Sequence, residues 1–215
     1  MARPRSALRV TALVVGVVVA SLSLAPIAAA ATRHTDDATG DVWELLRDKE
    51  GQQIGWGQAG SPDNADVIAT DARHGKHQIV FTVHFAELER GPRDDPFITQ
   101  ERMVFDHGPG VTAEVYTTSG WDGRSFLFSL VTGNRVACPD LRHKIDYSAD
   151  TVKVWVPRSC VHRPRWVRYS VAHATLGGGN TTTLEDDHDY FDNGLNSTHD
   201  RRVNDANLSA RLPRC

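Results

Sequence analysis

Apolar and polar side chains alternate strictly through the middle of this chain. In the stretch 78–85 every second residue is large and apolar, from Ile79 to Phe85. Side chains of a β-strand point to opposite faces in turn, so this pattern predicts a strand with one buried face. The same alternation recurs at residues 111–116, 125–130, 151–156 and 166–171.

Turn-forming residues separate these candidate strands. Glycine, proline, asparagine and aspartate occupy 108–110, 122–123, 133–134 and 148–150. Many short strands at regular spacing favour packed antiparallel sheets over alternating strands and helices. We therefore predict an all-β fold, an antiparallel β-sandwich of the jelly-roll or immunoglobulin-like type. Residues 65–176 are predicted to form its core.

The first thirty residues have the three parts of a secretory signal peptide. Three arginines come first, an apolar run covers 10–24, and the small residues Ala28–Ala31 follow. The run is shorter than the roughly 20 apolar residues that span a bilayer. We predict that residues 1–31 are a leader cut after Ala30 or Ala31, and that the protein is secreted and extracellular. The Arg, Ala and Val content of the leader favours a bacterial gene.

The remaining chain is long enough for one domain of ordinary size. A polar segment, 32–64, precedes the predicted core, and a loop-rich segment, 177–215, follows it. Acidic residues outnumber basic ones, 27 to 24. This balance disfavours nucleic acid and anionic membranes as partners, because both attract net positive charge. An extracellular glycan or protein remains as the expected partner.

Three cysteines occur, at positions 138, 160 and 215. Thiols of exported proteins tend to pair. Cys138 and Cys160 enclose a predicted hairpin, and Pro157–Cys160 is predicted to form one helical turn. We expect a Cys138–Cys160 disulfide and a free Cys215, although an odd cysteine also allows a bridge between two chains.

Two acidic stretches, at residues 36–41 and 185–194, carry the oxygen ligands that calcium prefers. A shorter one, Asp63–Asp66, lies near the first of them. Two interpretations stand: a calcium site in one of the stretches, or solvated acidic loops. The EF-hand pattern fails, because Phe191 occupies an oxygen-ligand position. The candidate ligands are Asp36, Asp37 and Asp41 in the first stretch, and Asp186, Asp187, Asp189 and Asp192 in the second.

Three tryptophans, Trp43, Trp56 and Trp121, lie in or beside glycine-containing, turn-like stretches. A loop tryptophan can stack on a sugar ring, and it can equally plug the end of a sandwich core. The three residues are therefore candidate ligand-binding residues, with the structural alternative left open.

No catalytic motif is recognisable in the sequence. Gly55–Gly60 matches G-x-G-x-x-G, but Ser61–Asn64 follows it and disfavours the helix that nucleotide binding needs, so we interpret the match as a loop. Neither H-E-x-x-H nor G-x-S-x-G occurs. The predicted function is therefore binding rather than catalysis.

Several short motifs resemble known secreted sandwiches. Asp36–Val42, Ala65–Ile68 and Ile79–Phe85 resemble the opening of exported DOMON-like domains and of the related xylan- and cellulose-binding modules. Val156–Cys160 and Pro164–Val167 are similar to segments of uncharacterised secreted proteins of actinobacteria. The resemblance implies a jelly-roll-like sandwich that binds a sugar, a cation or a small cofactor.

The resemblance does not extend to haem binding, since Met103 is the only methionine after the leader and paired Met/His ligands cannot be placed. We predict a secreted, non-catalytic, ligand-binding β-sandwich that binds a glycan and holds structural calcium. One alternative is an extracellular interaction or inhibitor protein acting through its loops. Another is a secreted hydrolase.

Overall fold

The computed structural model describes residues 30–90, 97–117, 122–175, 189–195 and 208–214. Several predictions concern residues outside these ranges: the leader up to residue 29, Trp121, Asp186, Asp187 and Cys215. No helix within the described ranges has the length and apolar character that crossing a membrane requires.

Within the described ranges the chain forms thirteen strands and one short 3-10 turn. The strands are β1 (Ala31–Asp36), β2 (Val42–Arg47), β3 (Gln53–Gly60), β4 (Val67–His74), β5 (Gln78–Phe85), β6 (Phe97–Phe105), β7 (Val111–Tyr116), β8 (Arg124–Ser129), β9 (Arg142–Asp146), β10 (Thr151–Pro157), β11 (Trp166–Thr175), β12 (Tyr190–Asp192) and β13 (Leu212–Pro213). The 3-10 turn covers Arg158–Val161, where the sequence predicts a helical turn.

Two antiparallel sheets pack face to face. The five-stranded sheet has the order β1-β4-β5-β10-β9. The eight-stranded sheet has the order β3-β2-β12-β11-β6-β7-β8, with β13 paired to β11. The predicted all-β antiparallel sandwich is therefore confirmed.

The core lies between the sheets and is built from the strands that the alternation predicts. Phe81 on β5 and Tyr169 on β11 are fully buried, and their rings meet edge to face at 5.2 Å. Val154 on β10 lies opposite Phe81 in the same sheet. Burying each such side chain contributes about 1.5–3 kcal/mol to folding, so these alternating positions supply much of the driving force.

Two ionisable side chains, Glu101 on β6 and His173 on β11, also face the core and are fully buried. His173 Nε2 lies 2.5 Å from the carbonyl oxygen of Asn64, and burial lowers the pKa of His173 to about 4. Neither oxygen of Glu101 makes a hydrogen bond of good geometry, and burial raises its pKa to about 8. The Glu101 carboxyl is therefore mostly protonated at neutral pH.

The sandwich extends beyond residues 65–176 at both ends. Strands β1, β2 and β3 lie in the segment 32–64, and β12 and β13 lie in the segment 177–215. β12 is inserted between β2 and β11, so that the two terminal segments meet in one sheet.

Gly55–Gly60, which we expected to be a loop, belongs instead to strand β3. It pairs with β2, and a side chain added at Gly57 would lie 3.4 Å from Leu46. The glycines hide the alternation of this strand, because they remove side chains from one of its faces. Trp43 and Trp56 accordingly lie in strands and not in turns.

The predicted disulfide is present. Cys138 and Cys160 are bonded, with their Cα atoms 5.5 Å apart. The bond ties the loop before β9 to the 3-10 turn after β10. The hairpin predicted between these cysteines is the pair β9 and β10.

Candidate metal centre

Four aspartates from three segments of the chain converge at one end of the sandwich. Asp37 follows β1, Asp41 precedes β2, Asp66 precedes β4 and Asp192 ends β12. Carboxylate oxygens of Asp37, Asp41 and Asp192 all lie within 4.8 Å of one another. We call Asp37, Asp41, Asp66 and Asp192 the four-aspartate cluster.

Backbone amides fix two of these carboxylates. Asp192 Oδ2 accepts a hydrogen bond of 2.6 Å from the Val67 amide, and its Oδ1 accepts one of 2.6 Å from the Asn193 amide. Each oxygen retains a lone pair for another partner. The Asp192 carboxylate is therefore held in a set orientation while it keeps the capacity to bind a cation.

Asp66 is docked on the turn that carries Asp37 and Asp41. Its Oδ2 accepts hydrogen bonds from the Gly40 amide at 2.9 Å and from the Ser61 hydroxyl. Gly40 has a φ of +80°, a conformation that side chains disfavour, and this conformation accompanies the amide bond to Asp66. The glycine at this position is therefore part of the construction of the cluster.

Three members of the cluster are buried, Asp37 is half-buried, and the carboxyl groups lie close together. Asp41 is 4% exposed, while Asp66 and Asp192 are each 1% exposed. Burial, followed by the charges of Asp192 and Asp41, raises the pKa of Asp37 to about 9. Burial, opposed by the Val67 amide and reinforced by Asp41, raises the pKa of Asp192 to about 8.

Some oxygens of the cluster have no hydrogen-bond partner in the described part of the chain. They are both oxygens of Asp37, whose geometry with the nearby Ala38 amide is poor, and Oδ1 of Asp66. A buried polar atom without a partner costs roughly 1–3 kcal/mol, and more if charged. These atoms are therefore acceptors available to a cation.

The donor set matches calcium better than it matches zinc. Calcium takes six to eight oxygen ligands from carboxylates, carbonyls and water, whereas zinc prefers cysteine and histidine. The cluster offers only carboxylate oxygens. A divalent cation would also neutralise the repulsion that raises the two pKa values.

The structure brings together candidates from both predicted stretches and leaves others apart. Asp37, Asp41 and Asp192 join, but Asp36 is 89% exposed and binds His34 at 3.0 Å. Asp36 and Asp37 are successive residues at a strand end, so their side chains point in opposite directions.

Two further outcomes concern the candidate ligands. Asp189 forms an ion pair of 2.6 Å with Arg47. Asp66 lies in the short acidic stretch 63–66, to which the sequence analysis assigns no ligand. Its position immediately before a strand of the core was the signal that places it at the sandwich end.

Trp43 lies on the outer face of the eight-stranded sheet. It lies opposite Phe191, Phe191 lies opposite Ala174, and Ala174 lies opposite Ile98. Directly opposed residues of antiparallel strands share a face. Because Phe97 is buried in the core, the neighbouring Ile98 marks the face that points away from the core.

Trp56 shares this outer face. It lies opposite Leu45, which is two residues from Trp43 on the same strand. Trp56 is 37% exposed and Trp43 is half-buried. Neither ring is therefore a plug between the two sheets, and together they form an aromatic strip at the β2–β3 end of the sheet.

Comparison with family models, with curated proteins and with solved structures returns no match for this chain. The functional argument therefore stands on the geometry described above.

Proposed function

We propose that this chain is an exported, non-catalytic β-sandwich that binds calcium at the four-aspartate cluster. The observation that carries the proposal is the convergence of Asp37 and Asp41, from one turn, with Asp192, from the C-terminal segment, beside the buried Asp66. The leader-like N-terminus and the Cys138–Cys160 bond support export into a compartment that is oxidising.

A cation links the ends of the chain in this proposal. Asp37 and Asp41 belong to the N-terminal segment, whereas Asp192 belongs to the C-terminal one. A ligand that binds only the folded state stabilises it by RT ln(1 + [L]/Kd), about 2.7 kcal/mol at a hundred times Kd. Calcium would thus act as a cross-link between the two segments.

The same geometry argues against a glycosidase centre. Paired catalytic carboxylates lie about 5–10 Å apart and must face the substrate. The oxygens of Asp37, Asp41 and Asp192 are closer than that, and Asp192 is almost completely buried. Such groups suit a small cation and not a sugar chain.

The experiment compares thermal unfolding with saturating calcium and with chelator, in the wild type and two variants. Asp37→Asn removes an ionisable carboxyl group whose oxygens accept no good hydrogen bond, so backbone contacts stay intact. Asp36→Asn is the matched control, because the neighbouring carboxylate points to solvent.

We expect calcium to raise the Tm of the wild type and of Asp36→Asn by several degrees, since 1 kcal/mol corresponds to about 2–4 °C. Asp37→Asn should respond much less, and in chelator it should be more stable than the wild type. An equal Tm with and without chelator in the wild type would overturn the proposal.

A second function is favoured by the aromatic strip of Trp43 and Trp56, namely binding of a glycan on the outer face of the eight-stranded sheet. Sugar rings stack on exposed aromatic faces, and Trp56 is exposed on the same face as Trp43.

A glycan array followed by titration of the best ligand tests this second function. Trp56→Ala should abolish binding at little cost to stability. Trp155→Ala, which removes a half-buried tryptophan from the other sheet, should leave binding unchanged. Equal glycan affinity in both variants would refute the aromatic strip as the binding surface.

A further inference from the structure

A pocket of about 710 Å³ lies at the opposite end of the five-stranded sheet from the four-aspartate cluster. β4 begins directly after Asp66 and ends at His74, just before the turn that contributes Lys76 to the pocket. At about 3.3 Å per residue, the strand separates the two sites by roughly 25 Å. The two sites are therefore separate.

Positive charge dominates the pocket lining. Lys76, Arg142, Arg158, Arg163 and Arg214 line it, and Asp140 is the one carboxylate among the described lining residues. The chain as a whole carries a net charge of −3. Clustering of cations in a concave surface raises the local potential and attracts anions, so the pocket contrasts with the rest of the molecule.

Arg158 is the buried member of this group and is 4% exposed. Its Nη1 donates to the Lys76 carbonyl at 2.8 Å, and its Nη2 donates to the Pro164 carbonyl. Its Nε has no hydrogen-bond acceptor in the described part of the chain. A buried guanidinium held by carbonyls alone is a costly arrangement unless an anion accompanies it.

The charges around Arg158 add to this cost. Burial, then the nearby Arg214 and Arg163, lower the pKa of Arg158, and Asp106 acts in the opposite direction. The Asp106 carboxylate itself accepts a hydrogen bond from the Arg165 amide and contacts His107. An anionic ligand would relieve the repulsion among the three arginines.

The pocket walls are held in place by the backbone. Arg163 has a φ of +54°, and its amide donates to the Arg158 carbonyl at 2.8 Å. The Arg214 amide donates to the Arg165 carbonyl at 2.7 Å. The Cys138–Cys160 bond fixes the 3-10 turn that carries Ser159. Backbone hydrogen bonds and the disulfide thus hold the segments that carry the cationic groups in place.

We propose that this pocket binds a small hydroxylated molecule that carries a phosphate or sulfate group. Guanidinium groups pair with such oxyanions through several hydrogen bonds at once. The volume falls within the roughly 300–1,000 Å³ typical of small-molecule sites and exceeds what one inorganic ion fills. Gln78, Ser159 and Asp140 supply donors and acceptors for hydroxyl groups.

Calorimetric titration of the purified protein in chelator tests the proposal, with glucose-6-phosphate, inorganic phosphate and glucose as probes. We expect glucose-6-phosphate to bind, inorganic phosphate to bind about tenfold more weakly, and glucose not to bind. Inorganic phosphate binding as tightly as the sugar phosphate would overturn the assignment of a hydroxylated ligand.

Variants distinguish the pocket from general attraction to surface charge. Arg163→Gln and Arg214→Gln alter exposed residues, so the fold should survive, and each should weaken glucose-6-phosphate binding by about tenfold or more. Arg124→Gln, an exposed arginine on β8, is the matched control and should change nothing. Equal losses in all three variants, or no binding by the wild type, would overturn the pocket as an anion site.

Discussion

The Asp192 carboxylate and the Val67 amide, 125 residues apart in sequence, are joined by a hydrogen bond of 2.6 Å. This contact places the C-terminal strand β12 against the start of β4. Gly194 lies on the same segment, and a Cβ added there would meet Val67 Cγ1 at 2.6 Å. The closeness of the two segments is therefore required by packing as well as by hydrogen bonding.

A first prediction follows from this close approach. Gly194→Ala should destabilise the protein by about 1–3 kcal/mol, because the added methyl group overpacks a buried contact. Urea unfolding measures the change. Gly55→Ala is the control, since nothing lies within 4 Å of the added carbon, and its cost should be near zero. Equal costs for both variants would contradict the packing argument.

A second prediction concerns protons and calcium. With pKa values of about 9 and about 8, Asp37 and Asp192 hold protons at pH 7 in the calcium-free protein. Calcium must displace these protons, so its affinity should rise as the pH increases from 7 to 9. The observed binding enthalpy at pH 7 should differ between buffers of different ionisation enthalpy. A heat that is independent of the buffer would contradict proton release.

The same shifts determine the stability of the calcium-free protein. A carboxyl whose pKa is raised by folding binds more protons in the native state than in the unfolded chain. Stability should therefore fall as the pH rises from about 4 toward 9. Calcium should abolish much of this decline. Unfolding free energies that are constant across this range in chelator would contradict it.

A third prediction concerns the buried Glu101. Its pKa is about 8, so the native state keeps a proton that the unfolded chain releases, and stability should fall as the pH rises from about 4.5 to 8, by about 1.4 kcal/mol per pH unit. Glu101→Gln cannot ionise. The stability of this variant relative to the wild type should therefore increase steadily across that range in urea unfolding. A difference that does not vary with pH would show that Glu101 does not titrate there.

A fourth prediction concerns the disulfide. The bond closes a loop with a sequence separation of 22. Replacing Cys138 and Cys160 together by alanine should cost about 3 kcal/mol, through the greater entropy of the unfolded chain. The variant should also bind glucose-6-phosphate more weakly, because the 3-10 turn at the pocket is no longer tethered. Unchanged stability and unchanged affinity together would refute both roles.

The sequence predicted the parts of the fold in which local pattern and burial agree. Phe81 and its alternating neighbours lie in a central strand, where one face is fully buried, and the strand pattern is therefore clear. The sequence does not predict strand β3, because Gly55 and Gly57 carry no side chain that would show which face of the strand is buried. Edge strands of this kind are specified by their partners more than by their own residues.

The candidate site was predictable in its chemistry but not in its assembly. The sequence predicts Asp37 and Asp192 as oxygen ligands of two alternative sites, and the pairing of β12 with β2 brings them together in one. Such non-local pairing leaves no local sequence pattern. The burial of Arg158 is likewise not predictable from the sequence, because its neighbouring residues indicate a helical turn and not a buried cation.

The late position of β12 in the sequence determines when the eight-stranded sheet can be completed during synthesis. Among the described strands, the hairpin β2–β3 joins the eight-stranded sheet only through this three-residue strand, which comes late in the chain. Non-local pairing of this kind is slow, and unpaired edges formed early are prone to aggregation. The hairpin β2–β3 therefore keeps an unpaired edge until residues 190–192 have been synthesised and can pair with it. During that interval the unpaired edge of β2 is the part of this sheet most open to pairing with another chain.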